Sequence, residues 1–140
     1  MPLVEWGPQY SVGVDAIDRE HIKLLEIINR LHDLMVARIG GVHEVVADLM
    51  AYAKSHFATE EELMEQVQYP QLARHRQLHR QLATFILTLK ENLDAGRAVS
   101  TREVLSFLRD WLGSHIQRED KKMGEFLVSL HKERIASAGR

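Results

Sequence analysis

The chain has 140 residues, 45% of them apolar, which is enough for one domain with a core of its own. Its formal net charge of -2 leaves no basic excess for nucleic acid or an anionic membrane surface. The absence of cysteine excludes disulfides, iron–sulfur clusters and thiolate zinc sites, and it fits a reducing compartment. No run of about 18 apolar residues is available to cross a membrane. Met1 to Tyr10 also lacks the basic-then-apolar pattern of a signal peptide. The expectation is a soluble, cytoplasmic single domain over residues 1–140, with an arm over about 1–17 and a bundle over about 18–134.

Residues 1–17 read as an irregular arm carrying Pro2, Gly7, Pro8 and Gly13. Its Trp6, Tyr10, Val12, Val14 and Ile17 are placed to pack on a bundle. Asp18 is the expected N-cap of a first helix, with Glu20 in the first turn. That helix carries Leu24, Ile28, Leu31 and Met35 as its stripe and runs to about Ile39, where Gly40-Gly41 stops it. A second helix covers about 42–66, with Leu49, Ala53, Leu63 and Met64 facing in. Tyr69-Pro70 marks the next turn. A third helix covers about 70–94 with Leu72, Leu82, Ile86 and Leu89 inward, and Gly96 follows as its C-cap. Ser100 with Glu103 forms a capping box opening a fourth helix through Val104, Leu108, Trp111 and Leu112. Gly124 is the expected break in it, Glu125 to Lys132 a last helical piece, and Ala136 to Arg140 a frayed tail. No segment alternates as a strand does, so the fold class is all-α: an antiparallel up-down-up-down four-helix bundle with an N-terminal arm.

Polar residues interrupt these apolar stripes. His56 and Glu60 are four apart and share one helix face, about 6 Å apart along the axis. His75 and His79 repeat that relation on the third helix. His21 and His115 lie in line with the stripes of the first and fourth. All of them point into the core, where an unpaired polar group costs on the order of 2–7 kcal/mol. In an antiparallel bundle, the start of helix one, the end of two, the start of three and the end of four share one end. His21, His56, Glu60, His75, His79, His115 and Asp120 therefore converge there. Core packing does not require five histidines and two carboxylates at one level. His32, His43 and His131 lie elsewhere and read as solvated residues without a role.

Imidazole and carboxylate without sulfur suit iron, zinc, copper or manganese. Seven ligands exceed the needs of one ion, and a four-coordinate zinc would strand three of them. His43-Glu44 is no zinc-protease motif, because Ala47 stands where a second histidine is needed. No histidine has a glutamate three residues before it, against the Glu-x-x-His pairs of ferritin-like oxidases. A histidine-rich site favours reversible chemistry, since fewer anionic ligands stabilise the oxidised ions less.

With these residues in place the chain resembles the hemerythrin family, in particular its bacterial single-domain bacteriohemerythrins. The resemblance rests on Gly13-Val14-Asp15 through Asp18-Arg19-Glu20-His21, on His56-Phe57-Ala58-Thr59-Glu60-Glu61, on Tyr69-Pro70 with His75 and His79, and on Trp111 through His115 to Asp120. It covers roughly residues 6–127. It implies two iron ions with an oxo or hydroxo bridge. One iron would be held by His75, His79 and His115. The other, with an open position for O2, would be held by His21 and His56, with Glu60 and Asp120 bridging both. Leu24, Phe57, Trp111, Leu112 and Ile116 match positions expected to wall the O2 pocket.

One spacing conflicts with a plain helix. Asp120 lies five residues after His115, about 140° around an α-helix, whereas Glu119 lies four after it. Helical geometry selects Glu119 and the resemblance selects Asp120. Asp120 is the expected ligand, and the fourth helix must then loosen into a π-turn or break.

The leading functional expectation is reversible O2 binding for storage, transport or delivery. The alternatives are a di-iron oxygen or redox sensor and a di-iron peroxidase or nitric oxide-consuming enzyme. Sensors of the family are usually fused to signalling domains, for which 140 residues leave no room. No acid/base residue beyond the ligands stands out, apart from Tyr10 and Glu61. A partner protein would restore the sensor reading, and the sequence leaves the protein partner unknown.

Overall fold

The computed structural model describes residues 2–138. Four helical rods form the bundle: α1 (Asp15–Ala37), α2 (Val42–Gln66), α3 (Leu72–Asp94), and a fourth made of α4 (Thr101–Ser114), a π-helical segment (His115–Asp120) and α5 (Lys121–Ala138). The described residues contain no strand. α2 packs against α1 and α3, and α1 also against α4. The faces meeting inside are the apolar stripes: Leu24, Ile28 and Leu31 of α1, Val46 and Leu49 of α2, Leu82 and Ile86 of α3, Leu108 and Leu112 of α4. Fully burying a Leu or Ile side chain contributes about 1.5–3 kcal/mol, so these stripes, and not helix propensity, hold the rods together. Leu63 and Leu72, expected inside, are only partly buried at the stripe edges.

Local chemistry sets the rod ends. α1 stops at Ala37 because Arg38 adopts a left-handed conformation (φ 55°). Gly41 at φ 103° then precedes α2, a backbone that favours glycine. α2 closes with the Tyr69 N–H on the Met64 carbonyl (2.9 Å) and the Gln68 N–H on that of Glu65 (3.2 Å), with Gln68 left-handed. α3 closes the same way: Gly96 has φ 72°, its N–H bonds the Leu93 carbonyl, and the Arg97 N–H bonds that of Asn92. The Ser100 hydroxyl accepts the Glu103 N–H at 3.2 Å, as its capping pattern predicts. His43, expected to have no role, donates to the Leu93 carbonyl at the end of α3 (3.1 Å).

Two expectations fail where the arm meets the bundle. α1 starts at Asp15, with Val14 in the capping position, so Asp18 lies inside the first turn. Its carboxylate instead accepts the Ser11 hydroxyl (2.7 Å) and the Val12 N–H (2.9 Å), tying the arm down. Gly124 breaks nothing, for α5 runs through it to Ala138. It is small because a Cβ there would lie 2.0 Å from the Val12 carbonyl oxygen. Val4 is held at both its N–H and its C=O by the Asn29 side-chain amide (3.0 and 2.8 Å). Val12 and Ile17 are buried, while Trp6, Tyr10 and Val14 pack partly buried on the core. The 3₁₀ turn Pro8–Tyr10 touches the π-helical segment. Of the tail expected to fray, Ala136 to Ala138 are helical; Gly139 and Arg140 lie outside the described residues. No helix among the described residues is long and apolar enough to cross a membrane.

Candidate metal centre

The turns 38–41 and 95–100 lie at one end of the bundle. The link 67–71, the start of α1 and the end of α4 lie at the other. This second end holds His21 on α1, His56 and Glu60 on α2, His75 and His79 on α3, and His115 and Asp120 on the fourth rod. All seven expected ligands are brought together there. Among the described residues these seven are also the whole set of buried polar or charged side chains, none more than 4% exposed.

Each carboxylate presents one oxygen to each of two histidine groups. Glu60 Oε2 lies 3.1 Å from His21 Nε2 and 2.9 Å from His56 Nε2. Glu60 Oε1 faces His75 Nε2 (3.4 Å) and His79 Nε2 (3.1 Å). Asp120 Oδ2 is 3.0 Å from His21 Nε2, while Oδ1 is 2.9 Å from His75 Nε2 and 3.1 Å from His115 Nε2. The result is a five-residue group (Glu60, His75, His79, His115, Asp120) and a four-residue group (His21, His56, Glu60, Asp120). Within each, the ligand atoms all lie within 4.8 Å of one another.

The Nε2 atoms of His75, His79 and His115, with Glu60 Oε1 and Asp120 Oδ1, form no hydrogen bond despite their short separations. An unsatisfied buried donor or acceptor costs about 1–3 kcal/mol. Five such atoms converging on one point, one from each residue of the five-residue group, form a donor set that suits a divalent first-row metal. The two shared carboxylates suit a second ion in the four-residue group.

The fourth rod delivers both its candidate ligands through the π-helical segment. The Lys121 N–H bonds the Ile116 carbonyl, five residues back. This wider turn brings residues five apart into line, so His115 and Asp120 both face inward. Glu119, which a plain helix would have selected, turns outward and binds the Arg74 guanidinium at 3.1 Å.

Burial and mutual charge oppose each other here. Burial disfavours the charged form of His21, yet hydrogen bonds and charge from Asp120 and Glu60 outweigh it and push its pKa up to about 10. Burial likewise opposes the charged form of His75, but the nearby Asp120 and Glu60 carboxylates outweigh it and raise it to about 9. Burial also opposes the charged form of His56, but Glu60 raises it. Burial would raise Glu60, yet His56, His21 and His75 hold it well below the usual carboxylate range. Burial and the Glu60 charge would raise Asp120, but His115 and His21 hold it low as well.

Around this cluster, Glu20 Oε1 accepts from His56 Nδ1 (2.7 Å) and Glu61 Oε2 from His79 Nδ1 (3.0 Å). The sequence puts Glu20 in a first turn and offers Glu61 as an acid or base, both within stretches that carry the resemblance, but it does not pair either with a ligand histidine. The available signal is adjacency: a carboxylate one residue from a ligand is turned about 100° toward the next helix. Phe57 stacks on His79 (3.9 Å, 9°) and Trp111 on His115 (4.5 Å, 14°). Phe57 is also 5.9 Å from the His56 ring. Leu24, Leu112 and Ile116 are each 1% exposed, within one turn of His21 or His115. Tyr10 stacks on Trp6 in the arm. Of the remaining histidines, His32 pairs with Asp33 and His131 is exposed.

Comparison with known proteins agrees with this geometry. The profile described as hemerythrin HHE cation binding domain matches residues 12–127. The bacteriohemerythrin of Stenotrophomonas maltophilia is 34% identical over 137 residues, covering 97% of this chain and 88% of its own length. That of Methylococcus capsulatus is 31% identical over 131 residues, covering 91% and 98%. A crystal structure of wild-type hemerythrin superposes with a TM-score of 0.80 at 29% identity, covering 88% of this chain and 96% of that one. A hemerythrin variant in which a leucine is replaced by alanine gives 0.82 at 29% identity, with 89% and 97% covered. Its seven buried histidine and carboxylate side chains, its bundle and these relatives together establish that the chain belongs to the hemerythrin family and is a hemerythrin-type di-iron protein.

Proposed function

We propose that this protein binds O2 reversibly at two iron ions, one held by His75, His79 and His115, the other by His21 and His56. Glu60 and Asp120, which face both groups, would be shared by the two ions, and the pair would carry an oxo or hydroxo group. The observation that carries this reading is the sharing of the two carboxylates, one oxygen to each group, between five donors and four. The four-donor group supplies one side chain fewer, and a small ligand has its place there. When bound, a pair of irons supplies the two electrons that reversible O2 binding requires.

The protein's own contributions are positional. Five neutral imidazoles against two carboxylates limit the anionic charge on the pair, which favours return to the reduced state. Glu20 and Glu61 accept from His56 and His79, which leaves the Nε2 atoms of those rings free to ligate. Leu24, Phe57, Leu112 and Ile116 are buried and Trp111 partly so. As the pocket wall they keep water and anions from the reduced ions and slow autoxidation. We assign a binding role, in O2 storage, transport or delivery, and no catalytic turnover.

Anaerobic reduction with dithionite, then air, followed by visible absorption and iron counting, tests this. The expected result is two irons per chain and an oxygen-dependent band that vanishes under argon. Direct conversion to an oxidised form, with no species reversed by argon, would overturn the carrier reading in favour of a sensor or enzyme.

A further inference from the structure

The two carboxylates behind the ligand histidines are not equivalent. Glu20 reaches from α1 to His56 on α2, and Glu61 from α2 to His79 on α3. Each stands beside a ligand in the sequence, next to His21 and Glu60 respectively. Each therefore serves a histidine of the neighbouring helix, and of the two groups one histidine apiece is backed in this way. Their own surroundings differ. Glu61 Oε1 is paired with Arg76 Nε at 3.2 Å, and Arg76 also holds Glu65 at 3.3 Å. Among the described residues, Glu20 pairs with no lysine or arginine. The lysine one turn on, Lys23, lies over the Tyr52 ring instead, and the Tyr52 hydroxyl donates to the Glu20 carbonyl (3.2 Å).

We propose that Glu20 and Glu61 are unequal positioning residues for the metal centre, each locking a ligand histidine through Nδ1, with only Glu20 doing so as an unneutralised anion. An acceptor at Nδ1 fixes the tautomer whose Nε2 lone pair faces the metal, and it makes the imidazole a stronger donor. A full negative charge strengthens that push, and a neighbouring guanidinium weakens it. The stronger push falls on His56, in the group with only four donors. The structure thus compensates, through Glu20, the ion with fewer side chains. This inference rests on the two-metal reading above.

The test uses Co(II) as the probe, loaded into metal-free protein, with stoichiometry, visible bands and release to excess chelator as readouts. Glu20→Ala and Glu61→Ala should keep the helical circular dichroism of the parent and release Co(II) roughly 10–100-fold faster. Glutamine still accepts from Nδ1 but carries no charge, so it separates positioning from electrostatics. Glu61→Gln should behave nearly as the parent, because Arg76 already offsets the charge. Glu20→Gln should shift the Co(II) bands and release faster than Glu61→Gln. Parent-like release from both alanine variants would overturn the positioning role, and identical glutamine variants would overturn the inequality. Should an alanine variant fail to fold, the glutamine pair decides. A parent protein that takes up fewer than two Co(II) would instead overturn the two-metal reading itself.

Discussion

Replacing Gly124 by alanine sets two physical effects against each other, and the structure decides the sign. In an exposed helix interior, Gly→Ala stabilises by about 1 kcal/mol through propensity. That outcome would follow if Gly124 were only a weak point in α5. In the fold, however, the new Cβ would lie 2.0 Å from the Val12 carbonyl oxygen and 2.9 Å from its carbonyl carbon, where ordinary contact begins at 3.4 Å. The obstacle is backbone and cannot rotate aside, so the arm must lift by more than an ångström. Lifting it strains the two hydrogen bonds to Asp18, from the Ser11 hydroxyl and the Val12 N–H, each contributing about 0.5–1.5 kcal/mol. It also re-exposes Val12, 3% exposed in the fold, a loss of up to about 1.5–3 kcal/mol. Against the gain of about 1 kcal/mol in helix propensity, the net expectation is a destabilisation of about 2–3 kcal/mol, within the usual range for overpacking. Urea unfolding of the metal-free protein, with parent and variant compared at equal slope, measures it directly. A neutral or stabilised variant would refute the claim that the arm presses on α5.

Other consequences can be tested independently. At pH 7 the metal-free protein holds His21 and His75 protonated, since their pKa values are raised to about 10 and about 9. Ligation needs both neutral, so Zn(II) loading in weak buffer should release about two protons per chain from these rings; release of none would contradict the charge pairing. A pKa raised above the unfolded value of 6.5 stabilises fully below that value and is lost as pH rises through the folded pKa. Urea midpoints of the metal-free protein should therefore fall between about pH 7 and 10, and a flat profile would count against the pairing. Asp120→Asn should lose the second metal while Glu119→Gln keeps both, read by metal counting; the reverse would mean that the π-helical segment does not deliver Asp120. Trp111→Ala should keep both irons but autoxidise faster, because the ring stacked on His115 no longer excludes water. An unchanged rate would remove Trp111 from the pocket wall.

Much of this centre was legible in the chain because its information is local. Apolar residues at helical spacing give four rods, and Gly41, Gly96 and Ser100 mark where rods begin and end. His56 with Glu60, and His75 with His79, lie four apart, so helix geometry alone puts each pair on one face. Antiparallel order then brings His21 and His115 to the same end. Tertiary structure decided what local spacing could not. Helix geometry favoured Glu119, and only a widened turn beneath the cluster, together with Arg74 outside, puts Asp120 in and Glu119 out. Asp18 has the chemistry of a cap, but the arm folds back and claims its carboxylate. Gly124 resembles a helix breaker until the Val12 backbone is seen pressed against it. Glu20 and Glu61 become partners of His56 and His79 only when neighbouring helices are packed at a definite rotation. A residue's own helix determines which way its side chain faces; what it meets there depends on elements distant in the chain.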